Sequence, residues 1–201
     1  LTWVTGATYT WQIDKFLFSP ATFMSGVEYQ ENRLHDIMTG YDRDMRQNVR
    51  IGSAFLQNEW NARYFSLLLG LRMDKHNLIE KPIFSPRVNF LYKPLKDLQA
   101  RITYSTGFRA PQAFDEDLHI TIVGGERTRI ELADDLKEER SHTFSLSADM
   151  YHTFKNGVQG NLMVEGFYTI LKDVFTLEDT GEMSDDGTVT IKKVWMNKVW
   201  E

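Results

Sequence analysis

The segment LQARITYSTGFRAPQAFDEDL, running from Leu98 to Leu118, opens as a strand and closes as a polar loop. Through Phe108 one parity holds Leu98, Ala100, Ile102, Tyr104, Thr106 and Phe108, and the other holds Gln99, Arg101, Thr103, Ser105 and Gly107. An apolar face and a polar face at period two are the mark of a strand with one side out of water. The alternation persists from Leu98 to Phe108, about the nine to eleven residues that a tilted strand needs to cross a bilayer. A soluble sheet permits the same pattern, so the rest of the chain has to decide.

Working outward, the flanking segments repeat the pattern. The alternation predicts strands near 2–13, 22–34, 48–60, 63–74, 84–93, 98–108, 140–153, 158–175 and 188–200. Connections near 14–21, 61–62, 94–97 and 154–157 are short, the last carrying an Asn156-Gly157 hairpin signal. Those at 35–47, 75–83, 109–139 and 176–187 are long and polar and read as loops. Short turns at one end and long loops at the other are the asymmetry of outer-membrane barrels. The fold class expected is therefore all-β: one partial barrel domain over 1–201, an antiparallel up-and-down meander of about nine long strands forming an incomplete section of a larger transmembrane barrel. A soluble barrel or sandwich stays open as the alternative, because the sequence does not say which face is wet. Strand length favours the membrane, since soluble strands usually run to about five or six residues.

Composition narrows the class. The chain has 201 residues, 42% of them hydrophobic, a net charge of -5 and no cysteine. That is enough for a sizeable core and excludes thiolate chemistry and disulfides. No run of eighteen apolar residues exists, so only strands could carry the chain across a membrane. Scattered basic residues without a basic stripe argue against nucleic acid as a partner. The sequence from Leu1 shows no charged n-region and apolar h-region, as expected of either a fragment or a mature product.

At Thr106-Gly107-Phe108-Arg109-Ala110-Pro111, with its acidic continuation to Leu118, the chain resembles the barrel part of TonB-dependent outer-membrane receptors. Supporting echoes are Phe55-Leu56-Gln57-Asn58-Glu59-Trp60, Gly70-Leu71-Arg72-Met73-Asp74, Ser85-Pro86-Arg87 and Leu136-Lys137-Glu138-Glu139-Arg140-Ser141, in the expected order. The resemblance implies a Gram-negative outer-membrane location and TonB-coupled uptake of a scarce nutrient such as an iron-siderophore, haem, cobalamin or a glycan. The partners it implies are that small-molecule ligand, the TonB complex acting through a plug domain, and outer-membrane lipid. Such receptors have about 22 strands and an N-terminal plug, neither of which this sequence contains, so it reads as an internal slice of a barrel with two open edges. A passive porin-like channel, or a soluble β-barrel binding protein, are the competing functions.

No enzymatic constellation stands up: there is no Gly-x-Ser-x-Gly elbow, no Walker loop and no His-Glu-x-x-His motif. His142 and His152 share one parity but lie about 30 Å apart at the usual rise of about 3.3 Å, too far to share a metal. No cofactor or metal is expected. The acidic loops are more suggestive, and the ligand or loop candidates are Arg109, Asp115, Glu116, Asp117, Asp134 and Asp135. Clustered carboxylates attract cations, although a solvated surface or an interface with lipopolysaccharide-bound divalent ions is the plainer reading. Arg109 with Pro111 is expected to fix the base of its loop, Pro by stiffening φ and Arg by pairing with carboxylates. Trp3, Tyr9, Trp11, Tyr92, Tyr104, Phe108 and Tyr168 fall on the apolar parity, as an interfacial girdle requires.

Overall fold

The computed structural model describes residues 1–38, 43–110, 127–132, 137–183 and 189–196. Its main body is one open sheet of eight strands in the order β1-β2-β3-β4-β5-β6-β8-β9, every neighbouring pair antiparallel. These are β1 (Thr2–Phe16), β2 (Ser19–Met38), β3 (Arg43–Asn61), β4 (Phe65–His76), β5 (Ile83–Leu95), β6 (Leu98–Arg109), β8 (Glu139–Thr153) and β9 (Gln159–Lys172). The meander read from the alternation is present, and a second sheet accompanies it. There β10 (Phe175–Met183) pairs antiparallel with β11 (Val189–Met196), which pairs in parallel with β7 (Arg127–Leu132).

Two departures from the sequence reading have a common physical root. Residues 35–47 were expected to be loop, yet the β2–β3 ladder continues to Met38↔Arg43. Above the membrane both faces of a ribbon are wet, so the hydrophobic period vanishes while backbone pairing persists. Likewise β7 and β10 lie inside stretches expected to be loops, and β11 joins them rather than the main sheet. The strand expected over 158–175 breaks at Asp173, whose φ of 55° is left-handed, a conformation Asp tolerates better than most residues. The first hairpin is also tighter than expected: Phe16 pairs Ser19 around Leu17-Phe18, with a bulge below Ile13.

Directly opposed residues share a face, so the register sorts the sheet into two surfaces. One fully paired row reads Ile13, Ala21, Trp60, Leu67, Phe90, Ile102, Leu146, Gly166. The parallel rows of this outer face carry Trp3, Tyr9, Trp11, Val27, Leu56, Leu69, Leu71, Met73, Phe144, Val164 and Tyr168, all well exposed. The opposite, inner face carries Thr, Ser, Gln, Glu and Arg. Leu68 is an apolar exception there, set between Glu59 and Asn89. A surface this apolar is stable only against lipid.

Aromatic rings bound the outer face at both ends. Trp3 and Tyr29 meet edge-on with centroids 5.8 Å apart. At the short-turn end Phe16 and Phe18 stack on Trp60, Phe18 touches Phe65, and Phe65 touches Phe90, all within 5.7 to 5.9 Å. On β1 the band lies between Trp3 and Trp11 and is centred on Ala7; on β9 it lies between Leu162 and Ile170 and is centred on Gly166, which shares a row with Ile13. The band thus drifts from the Ala7 row to the Ile13 row, about 20 Å along the strands, across seven interstrand spacings of about 4.8 Å. That is a strand tilt of about 30°, close to what a closed barrel requires.

Candidate functional site

The inner face holds its charges in a built network. Glu28, Ser53 and Asp74 lie directly opposite one another on β2, β3 and β4, and Arg72 sits one inward-facing position below Asp74. Arg72 Nε donates to Asp74 Oδ1 at 2.9 Å, and its Nη2 donates to Glu28 Oε1 at 3.0 Å and Ser53 Oγ at 2.8 Å. Ser53 Oγ donates in turn to Asp74 Oδ1 at 2.6 Å. Asp74 is 2% exposed, and two donors, Arg72 Nε and Ser53 Oγ, meet its buried carboxylate. Below this network Phe55 lies over Gly26, where a Cβ would come within 2.5 Å of the ring. Glycine is needed there for close approach.

Beside the network lies an open concavity of about 490 Å³, with Gly70 as its floor and Gln57, Arg72, Ser85, Arg87, Thr103 and Ser105 around it. Arg87 is opposite Gly70 and Ser105, and Arg101 faces the same side further down, opposite Ser147. Both guanidinium groups are exposed and have no partner among the described residues. A wall offering unpaired cations among hydroxyls and amides suits an anionic, hydroxyl-rich solute.

At the long-loop end Arg109 closes β6 against β8. Its Nε and Nη2 donate to the two oxygens of Glu139 at 2.7 and 3.2 Å, and its guanidinium lies 4.8 Å over the Phe175 ring. Glu139 also accepts the Phe175 backbone N–H, so one carboxylate ties together β6, β8 and the start of β10. Of the sequence candidates, Arg109 is thus placed at the loop base. Asp115, Glu116, Asp117, Asp134, Asp135 and Pro111 lie outside the described residues.

His76 ends β4 just beyond Lys75, the charge that closes the outer apolar band on that strand. Its ring is wholly buried; Nδ1 accepts the Leu78 N–H at 3.0 Å and Nε2 has no partner. Burial pushes its pKa below the ordinary 6.5, because no nearby acceptor compensates a charged ring. The other two histidines singled out by spacing lie on the outer face: His142 Nδ1 meets the Tyr104 hydroxyl at 2.9 Å, and His152 packs edge-on against Phe154.

Neither the Arg72 network nor the Arg87 and Arg101 pair stood out in sequence. Each strand shows only a polar parity; which polar residues meet depends on the stagger between strands, and the stagger becomes legible only once the hairpin turns are fixed.

The family model described as TonB dependent receptor-like, beta-barrel matches residues 2–197. No curated protein matches the sequence. Among solved structures the chain is similar to the siderophore receptor PirA from Pseudomonas aeruginosa, with TM-score 0.75 and 15% identity, covering 98% of this chain and 37% of that one. It is also similar to a variant of the ferric enterobactin receptor PfeA from the same organism, in complex with enterobactin, with TM-score 0.73, 18% identity and coverage of 98% and 31%. The FrpB iron transporter from Neisseria meningitidis follows at TM-score 0.61 and 13% identity, with coverage of 96% and 31%. The chain therefore spans about a third of the length of the structures it matches. A membrane-tall apolar outer face, a wet inner face and a family match over nearly every residue make it a section of barrel wall in the Gram-negative outer membrane, and it belongs to the TonB-dependent receptor-like β-barrel family.

Proposed function

We propose that the receptor containing this wall imports a scarce nutrient through TonB coupling, and that among iron-siderophore, haem, cobalamin and glycan the cargo is an anionic ferric chelate. The observation that carries the reading is Arg87, unpartnered and exposed where it lines the inner-face concavity, with the likewise unpartnered Arg101 further down the same face. Two of the similar structures are described as receptors for a siderophore or for ferric enterobactin, which supports the same class. In this reading the inner wall and the loop bases held by Arg109 and Glu139 receive the cargo. The TonB complex acts through a plug, outer-membrane lipid surrounds the wall, and no enzymatic step takes part.

The test is quenching of intrinsic tryptophan fluorescence in the full-length receptor by a ferric catecholate, its iron-free form, haem and cobalamin. Replacing Arg87 and Arg101 by Gln is expected to weaken the ferric catecholate about tenfold per charge, about 1.4 kcal/mol each, with the melting temperature unchanged. Uptake of the labelled chelate should stop when the proton gradient is collapsed. Saturable binding of neutral cobalamin that the double variant leaves untouched would overturn the assignment.

A further inference from the structure

Charge is shared unevenly between the two ends of the wall. The short turns and the residues beside them, 14–21, 61–64, 93–97 and 154–157, carry Lys15, Arg63, Lys93, Lys96 and Lys155 against Asp14 and Asp97, on a chain whose net charge is -5. Three of these cations lie together. Arg63, Lys93 and Lys96 line one concavity of about 350 Å³ at the short-turn end, with Tyr64, Gln99 and Tyr151 also in its wall and no carboxylate among its described lining residues.

Backbone pairing brings the three together. Lys93 N–H donates to the Tyr64 carbonyl at 2.7 Å, which sets the β3–β4 turn beside the end of β5, and Tyr151 N–H donates to the Asp97 carbonyl at 2.7 Å, which sets the β5–β6 turn beside β8. The Arg63 guanidinium lies 5.2 Å over the Tyr64 ring, a contact that uses none of its N–H donors. The side chains of Lys93 and Lys96 have no partner among the described residues. On the inner face Asp149 lies opposite Gln99 and accepts from its amide at 3.4 Å, while Asp97 is in the turn itself. The concavity also ends a line of cations. Arg87 is opposite Ser105, Arg101 is four residues below Ser105 on β6, and Lys93 is two residues beyond Leu91, the residue opposite Arg101. At about 3.3 Å per residue those steps are about 13 Å and about 7 Å. Unpaired cations therefore descend β5 and β6 from the upper concavity to the lower one.

We propose that this concavity is a second anion site, at the periplasmic lip of the wall, that takes the anionic ferric chelate as it leaves the lumen. The inference rests on the cargo proposed above. Its volume falls in the range of small-molecule sites, about 300–1,000 Å³. Three cations without a lining carboxylate suit a multiply charged anion, and the exposed rings of Tyr64 and Tyr151 offer flat apolar faces to the aromatic rings of a catecholate. A solute that loses one guanidinium on the way down meets the next cation about one side-chain reach below, so no step of the descent leaves its charge without a counter-ion.

Because the Lys93 and Lys96 side chains make no described bond, replacing them disturbs no contact of the folded wall. The experiment is calorimetric titration of the full-length receptor in detergent with a triply anionic ferric catecholate and with a neutral ferric hydroxamate. The catecholate should fill two sites, one tight and one weaker. Lys93→Gln and Lys96→Gln should each weaken the second site about fivefold, the upper scale of an exposed charge pair, and about twentyfold together, with the tight site and the melting temperature unchanged. Lys93→Arg with Lys96→Arg should keep the second site. In cells the double Gln variant should lower the maximal uptake rate of the labelled chelate about threefold or more at an unchanged half-saturating concentration, a split that a merely structural role would not produce. A single site in the wild type, a second site indifferent to both lysines or equally filled by the hydroxamate, or an unchanged maximal uptake rate would each overturn the proposal. Failure of the cargo reading shows separately in the same titration, as a tight site indifferent to Arg87→Gln and Arg101→Gln.

Discussion

Replacing Arg72 by Met tests whether the inner wall is held by a buried charge network. The substitution keeps the length of the side chain and removes the guanidinium that donates to Asp74, Glu28 and Ser53. The two carboxylates do not lose equally. Asp74, with a side chain 3% exposed, would be left with the Ser53 hydroxyl as its one described donor, whereas Glu28 is 39% exposed and can turn to water. Breaking a buried ion pair by deleting one partner costs about 3–5 kcal/mol, and an exposed pair is worth about 0–1 kcal/mol. Since Arg72 is itself 39% exposed, the lower end applies, about 3 kcal/mol for Arg72→Met. Nearly all of it should be assigned to Asp74. Reversible urea unfolding in detergent micelles, followed by heat-modifiable gel mobility, gives the free energies for a double-mutant cycle with Asp74→Asn and another with Glu28→Gln. The expected coupling of Arg72 to Asp74 is about 2 kcal/mol, and to Glu28 it is below about 1 kcal/mol. Coupling to Glu28 as large as to Asp74 would show that burial does not govern the network and would refute the reasoning.

Other outcomes follow from single contacts. Gly26→Ala would drive a methyl into the Phe55 ring and the Ala7 carbonyl, at 2.5 and 2.9 Å; it should cost about 1–3 kcal/mol, and Phe55→Leu in the same chain should recover part of that in thermal melts. Asn58 lies opposite Phe23 and Leu69 on the outer face with both amide atoms buried and unbonded, so Asn58→Leu is expected to raise stability by about 1–2 kcal/mol. His76 has a pKa lowered by burial, so the unfolded chain takes up its proton first as pH falls. The stability it contributes is whole above about pH 6.5 and is lost on acidification from there towards the folded value. Amide exchange at Leu78, corrected for intrinsic rate, should quicken below pH 6.5 in the wild type and become flat in His76→Gln. Glu139→Ala removes the carboxylate that accepts from Arg109 and from the Phe175 N–H and should cost about 1–3 kcal/mol, seen as faster exchange at Phe175 with the remainder of β6 and β8 protected.

What was legible in the sequence is the part of each strand that touches oil. From Leu98 to Phe108 lipid on one side and water on the other impose a strict period of two, and that is where alternation located β6. Where both sides are wet the signal fades, which is why residues 35–47 looked like a loop although the ladder there continues to Met38, and why β7, β10 and their partner β11 gave no hint of forming a sheet of their own. Arg109 could be foreseen at a loop base because its motif ends a strand, while its partner Glu139 was one of several neighbouring carboxylates. The Arg72 network needed three strands in register, and a stagger of one residue would have sent Ser53 to the other face.

The long β2–β3 ribbon has a consequence for recognition at the cell surface. It is paired without a break from Ala21↔Trp60 to Met38↔Arg43, and its upper part stands clear of the apolar band. A flexible loop must surrender conformational freedom when it grips a solute, at about 1–2 kcal/mol for each backbone residue fixed. Residues already fixed in a ladder have surrendered it on folding. Any molecule that meets the projecting part of β2 and β3 therefore encounters a shape that exists beforehand, so selectivity there should come from fit and show in dissociation rates, with little of the slow ordering step that a mobile loop would add.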